Sequence, residues 1–205
     1  MFRVVSSLMI VPNIHLLTIE APAVARQAKP GQFVIIRAEE EGERVPLSIC
    51  DWDRDMGTIT LLVMNIGSTT GRLAAIRERT TIPTVAGPLG NATEIEKYGT
   101  VLCLAGCYGI GSMFPIARAL KEKGNRVITI LEARSSYLLY WEERLKDVSD
   151  RISHITRDGT RGFRGHINRL PEIIKGFNEP IDRIYANGCT FMMMRSSNAS
   201  RPLGI

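Results

Sequence analysis

The chain has little of what extreme classes of protein are built from. Four cysteines occur in 205 residues, Cys50, Cys103, Cys107 and Cys189, and no two of them form a C-x-x-C pair. That spacing excludes a disulfide framework and gives no zinc or iron–sulfur ligand set within these residues. Cys103 sits in an apolar stretch, Thr-Val-Leu-Cys-Leu-Ala-Gly, so strand alternation is not expected to bring it and Cys107 onto one metal. Only three histidines occur, His15, His154 and His166, scattered and without an accompanying nucleophile, so no acid–base or nucleophilic triad is visible. No run of about 18 apolar residues exists, which leaves no expected membrane span. The N-terminal stretch, Met1 to Leu17, carries one basic residue and no small-residue cleavage site; it reads as a first strand rather than a leader, and a cytoplasmic location is the expectation.

What is present is ordinary for a globular chain: 44% apolar, 23% charged and a net charge of +5. Basic residues are mixed with acids, and the densest cluster is Arg157, Arg161, Arg164, His166 and Arg169. A solvated loop is the expected reading, ahead of a contact surface for an acidic partner. Without a motif or interleaved aromatics, nucleic acid is not an expected partner.

The length allows one large or two small domains, and the texture changes near Tyr98. Before it, residues 2–11, 15–20, 32–37 and 58–64 read as strands separated by turn signals at Pro12-Asn13, Pro30-Gly31 and Met56-Gly57, with a helical patch over 70–77. Short strands at this spacing predict an antiparallel β-barrel domain over residues 1–95. From residue 96 to 205, doubly buried apolar runs alternate with helical patterns: strands over 100–105, 126–133, 152–156 and 183–187, helices over 114–123, 137–148 and 166–174. That order predicts an α/β Rossmann-like domain on a parallel sheet, with Met192, Met193 and Met194 opening a last helix that packs on it.

Between the first two of these strand and helix signals lies Gly106-Cys107-Tyr108-Gly109-Ile110-Gly111-Ser112-Met113. Glycines permit a tight turn and a close ligand, and a helix start offers free N–H groups to a pyrophosphate. The spacing is G-x-x-G-x-G rather than the dinucleotide fingerprint, so a turn that binds nothing stays open. Pro115 is expected in the helix's first turn, where its missing N–H does no harm.

Three segments in order then carry a resemblance: Arg44-Val45-Pro46-Leu47-Ser48-Ile49; Gly67-Ser68-Thr69-Thr70-Gly71-Arg72-Leu73 with Gly87-Pro88-Leu89-Gly90; and the glycine turn with Ala186-Asn187-Gly188-Cys189. Over almost its whole length the chain resembles the ferredoxin–NADP reductase superfamily. Within it, the chain is most similar to the small subunits of NADH-dependent ferredoxin:NADP oxidoreductase (sulfide dehydrogenase) and to the electron-transfer subunits of dihydroorotate dehydrogenase. The resemblance implies a flavoprotein oxidoreductase that moves electrons between NAD(P)H and an iron–sulfur partner through FAD held in the barrel. The partner would be a larger flavin and iron–sulfur subunit or a ferredoxin. It implies that Arg44, Pro46, Leu47 and Ser48 line the flavin, that Leu62, Val63 and Met64 pass beside it, and that Gly67, Thr69 and Thr70 meet its phosphates. Gly106, Gly109, Ile110 and Gly111 would surround the phosphates of NAD(H) or NADP(H), with Glu132 or Arg134 reading the adenosine ribose. A carboxylate there favours NAD and a guanidinium NADP. Cys189 stands where relatives carry a Cys-Gly-Pro segment near the nicotinamide, though here the run is Gly-Cys-Thr-Phe and an inert thiol is the competing expectation.

The resemblance also implies a cysteine-rich segment binding a [2Fe–2S] cluster beyond Ile205. These residues do not contain it, and the second domain is expected to be truncated at its C-terminus. No catalytic acid, base or metal ligand is expected from the chain itself, because the flavin carries the chemistry. Two alternatives stay open beside the dihydroorotate dehydrogenase subunit: a nucleotide-sensing module without turnover, and a purely structural subunit.

Overall fold

The computed structural model describes residues 1–205 and divides the chain into two compact units, Met1–Glu94 and Ile95–Ile205. The first unit is a seven-stranded antiparallel, nearly closed barrel. Its strands are β1 (Phe2–Val11), β2 (Ile14–Glu20), β3 (Phe33–Arg37), β4 (Val45–Asp53), β5 (Thr58–Met64), β6 (Thr81–Ile82) and β7 (Thr84–Leu89), in the order β6-β1-β2-β5-β4-β3-β7. Two short helices punctuate it, α1 (Pro22–Gln27) and α2 (Ser68–Ala74). Period-two alternation points Val4, Leu17, Ile19, Val34, Ile36, Leu47, Ile49, Ile59, Leu61 and Val63 into one core. Each such side chain contributes about 1.5–3 kcal/mol when removed from water.

The expected strands all form, but β4, β6, β7 and the helix α1 lie outside the signals read from the sequence. Pro46 and the polar run around Ser48, Asp51 and Asp53 hide a nine-residue strand, because half its positions face outward. The patch expected over 70–77 is α2, which starts at Ser68: Thr70 Oγ1 accepts the N–H groups of Gly67 (3.0 Å) and Ile66 (3.2 Å) and so caps the first turn.

The second unit is a five-stranded parallel sheet of β8 (Thr100–Gly106), β9 (Arg126–Ala133), β10 (Arg151–Thr156), β11 (Phe163–Arg164) and β12 (Arg183–Asn187), ordered β11-β10-β9-β8-β12. Its helices are α3 (Gly109–Glu122), α4 (Glu142–Asp147), α5 (Leu170–Lys175) and α6 (Thr190–Ser200). Leu102, Leu104, Ile128, Ile130, Ile155, Ile167, Leu170 and Met192 form a core on one face. The order reverses between β8 and β12, and open α/β sheets bind ligands outside the strand C-termini at such a switch.

Three expectations need correction. The helix expected from Phe114 begins at Gly109, which moves Pro115 from the first turn to the helix interior. The helix expected over 137–148 is broken into a 3-10 turn, Ser136–Leu138, an extended Leu139 and a left-handed Trp141 before α4. The break puts the Tyr140 hydroxyl where it donates to the Cys107 carbonyl (2.8 Å) and accepts from Gly111 N–H (3.1 Å), two bonds a continuous helix would not make. Of the three methionines, Met192 packs inward, whereas Met193 and Met194 are exposed. No helix is long and apolar enough to cross a membrane.

Candidate functional site

In the barrel, the sequence-chosen residues divide by strand parity. Leu47 and Val63 point into the core, so their side chains serve packing. Pro46, Ser48, Leu62 and Met64 lie on the opposite face; Pro46 and Ser48 are exposed, Met64 is half-buried and Leu62 is buried. Arg44, just before β4, is exposed. The ladder between β4 and β5 ends at Ile49↔Leu61, while Val45–Ser48 pair only with Ile36–Phe33 of β3. The segment carrying Pro46 and Ser48 therefore has one paired edge and one without a register partner.

Gly87-Pro88-Leu89-Gly90 ends β7 against this segment's neighbour: a Cβ on Gly87 would lie 2.7 Å from Val34 Cγ1. The motif thus serves close strand packing. At the start of α2, Thr70 is fully used as a cap, since its hydroxyl also donates to Gly67 O (3.2 Å). Gly67 is exposed and extended. The Thr69 hydroxyl donates to the Glu43 carboxylate (2.8 Å), and Arg72 pairs with Glu39 (2.6 Å). An anionic oxygen already sits on Thr69.

In the second unit, the glycines of the β8–α3 turn face protein. Gly106, Gly109, Ile110 and Gly111 are all buried, and Cys107 and Tyr108 are the exposed residues. A Cβ on Gly109 would lie 2.2 Å from the Asn187 carbonyl oxygen, and one on Gly106 would lie 3.1 Å from Met192 Sδ. Glycine here lets β12 and α6 close on the turn. Asn187 Nδ2 donates to Ser112 Oγ (2.9 Å) and the Tyr108 hydroxyl to Gly188 O (2.9 Å), which fixes the two strand ends side by side. Cys107 takes a left-handed φ of 52° to enter the turn. Sequence reasoning gave no role to Tyr108, Tyr140 or Cys107, and the amphipathic pattern over 137–148 carried no signal for Tyr140.

Glu132, at the end of β9, is buried: Oε1 is 3.4 Å from His166 Nδ1 and Oε2 has no hydrogen-bond partner. Arg134, two residues on, is exposed and pairs with no carboxylate. Asp158 secures the adjoining loop, accepting from the Thr160 hydroxyl (2.7 Å) and N–H (3.0 Å). Hydrogen bonds from Ser135 and then Thr160 pull its carboxyl down to about 2. Of the basic cluster, Arg161 pairs with Glu142 (2.7 Å) and Arg169 with Glu172 (2.7 Å).

No family model matches the chain. The dihydroorotate dehydrogenase B (NAD(+)) electron-transfer subunit homolog of Thermotoga maritima is 38% identical over 204 residues, covering 99% of this chain and 71% of that protein. The chain belongs to this family of electron-transfer subunits. The electron-transfer subunit of Bacillus mycoides dihydroorotate dehydrogenase B is 31% identical over 196 residues, 93% of this chain and 74% of its own. Among solved structures, an NADH-dependent reduced ferredoxin–NADP oxidoreductase studied for flavin-based electron bifurcation matches at a TM-score of 0.90 and 38% identity, over 99% of this chain and 73% of that one. A ferredoxin–NADP+ reductase from Neisseria gonorrhoeae, at 16% identity and a TM-score of 0.78, shares the fold. The resemblance read from the sequence is borne out: this is a ferredoxin reductase-like electron-transfer protein, with the two-sheet fold of that group.

Proposed function

We propose that the chain is the FAD- and nicotinamide-binding electron-transfer subunit of an oxidoreductase that passes electrons between NAD(P)H and an iron–sulfur partner, either a larger subunit or a ferredoxin. The observation that carries this is the match over 99% of the chain, at a TM-score of 0.90, to an NADH-dependent reduced ferredoxin–NADP oxidoreductase. FAD, when bound, would supply the redox chemistry that couples two-electron exchange with the nicotinamide to one-electron exchange with an iron–sulfur centre.

The barrel residues suit the flavin. Pro46 and Ser48 offer an apolar surface and a hydroxyl on a strand edge without a β5 partner, so the ring can be held against backbone and side chain at once. The Glu43 carboxylate on Thr69 is a stand-in for an anionic oxygen, and exposed Arg44 adds a cation fitted to a pyrophosphate. Leu62 and Met64 share this face; Leu47, Val63 and Thr70 shape it from behind.

For the dinucleotide, Gly106, Gly109, Ile110 and Gly111 form the wall on which Cys107 and Tyr108 are displayed. The buried, unpartnered Glu132 Oε2 at the end of β9 is an acceptor without a donor, which suits a ribose hydroxyl and favours NAD(H). Exposed Arg134 is the counter-candidate for a 2′-phosphate, and Cys189 would lie on the nicotinamide side. Together the units Met1–Glu94 and Ile95–Ile205 would serve as FAD- and NAD(P)-binding domains.

The chain's residues bind, orient and exclude water; none is assigned to proton transfer. The test is anaerobic addition of NADH to the full chain loaded with FAD. Bleaching of the flavin band supports the proposal, and a chain that binds NADH without ever taking up FAD supports the nucleotide-sensing alternative. The names of the relatives favour a second reading, the dihydroorotate dehydrogenase subunit; co-purification with a dihydroorotate-oxidising partner distinguishes it.

A further inference from the structure

Two thiols outside the proposed redox chemistry stand next to each other. β8 and β12 pair in parallel with Ala105 opposite Asn187, and two residues further along each chain come Cys107 and Cys189. Adjacent strands run about 4.8 Å apart, inside the roughly 4.4–6.8 Å between Cα atoms that a disulfide spans. The strands stay close past their last paired residues. A Cβ on Gly188 would be 3.0 Å from Gly106 O, and Tyr108 ties its hydroxyl to Gly188 O at 2.9 Å. Cys189 is near enough to raise the Cys107 thiol, through its charge and by hydrogen bonding. Cys107 is exposed and Cys189 half-buried, so a small reagent can reach the pair. The other two cysteines, Cys50 and Cys103, are buried, and burial pushes Cys103 up to about 12.

We propose that Cys107 and Cys189 form a reversible intramolecular disulfide, made by exchange with a low-molecular-weight disulfide, that staples the glycine turn to the β12–α6 junction. One protein thiolate attacks a sulfur of the small disulfide, breaking its S–S bond and releasing one small thiolate. The second protein thiolate then attacks the protein sulfur of the mixed disulfide and expels the other small thiolate. The two protein thiols lose two electrons and two protons in total, and the small disulfide becomes two thiols. Burial first, then Cys189 beside it, raises the Cys107 thiol; Arg157 opposes the rise and the Glu132 carboxylate adds to it, so exchange is expected to quicken as pH climbs above neutral.

The full chain is incubated with oxidised glutathione and its intact mass and disulfide-linked peptides are read. The expected product is two hydrogen atoms lighter, reverts with dithiothreitol, and yields a linked peptide pair containing Cys107 and Cys189. Cys107→Ser and Cys189→Ser are each expected to end as a single glutathione adduct with no such loss. Wild-type chain that only accumulates glutathione adducts overturns the proposal, as does a linked pair containing Cys50 or Cys103. The peptide map is made on the wild-type chain, so it decides the question even if a serine variant does not fold.

Discussion

At the scale of single residues, Tyr140 and Asp158 do more than their places in the sequence suggest. Tyr140 bridges the Cys107 carbonyl and the Gly111 N–H from a residue 29 positions away from Gly111. Removing its hydroxyl takes away the side-chain acceptor of the Gly111 N–H and leaves the Cys107 carbonyl only the Ile110 N–H at 3.3 Å. Tyr140→Phe is expected to destabilise the chain by about 1–3 kcal/mol, measured as a lower denaturation midpoint at unchanged slope. Asp158 carries a pH signature. Its carboxyl falls from an ordinary 3.8 to about 2 in the folded chain, so its contribution is fully present above about pH 3.8 and is lost as pH drops toward 2. Asp158→Asn is accordingly expected to melt lower than wild type at neutral pH, with the gap closing across that acid window. A gap that widens there would contradict the assignment.

At the scale of elements, the glycines separate into those that serve the fold and those free to serve a ligand. Gly109→Ala would set a Cβ 2.2 Å from the Asn187 carbonyl oxygen, backbone against backbone, with no flexible side chain to yield. A loss of about 3 kcal/mol is expected, near the top of the range for overpacking, seen in the denaturation midpoint. Gly67, by contrast, is extended, and a Cβ there would meet only Thr70 Oγ1 at 3.9 Å. Gly67→Ala is expected to cost under about 1 kcal/mol in stability. A several-fold weakening of FAD binding in that variant, read by fluorescence titration, would support Gly67's proposed place beside the phosphates; unchanged affinity would remove it.

Elements also show what the sequence made legible. β1, β5, β9 and β12 follow from their apolar patterns to the residue, because periodicity reports burial directly. The start of α3 did not, because Gly109, Gly111 and Pro115 are poor helix formers held in the helix by packing against Asn187 and by Tyr140. The break at Leu139–Trp141 was hidden for the matching reason: an amphipathic pattern does not reveal that a tyrosine hydroxyl will be drawn to a distant turn. Ser48 and Pro46 were legible as a motif, but strand parity alone told that Leu47 beside them faces the core.

At the scale of the whole molecule, the family and the two-sheet architecture are established, and the cofactors are the central proposal. The chain itself supplies surfaces, a strand edge, a threonine hydroxyl and a buried carboxylate oxygen without a hydrogen-bond partner. An electron carrier needs no more than this from its protein, because the cofactor does the chemistry. The most direct measurement is the visible absorption spectrum of the full chain after incubation with FAD and removal of excess, followed by anaerobic NADH. The account predicts one flavin retained per chain, bleached by NADH and weakened by Ser48→Ala. A chain that stays colourless, or a bound flavin indifferent to NADH, would contradict it.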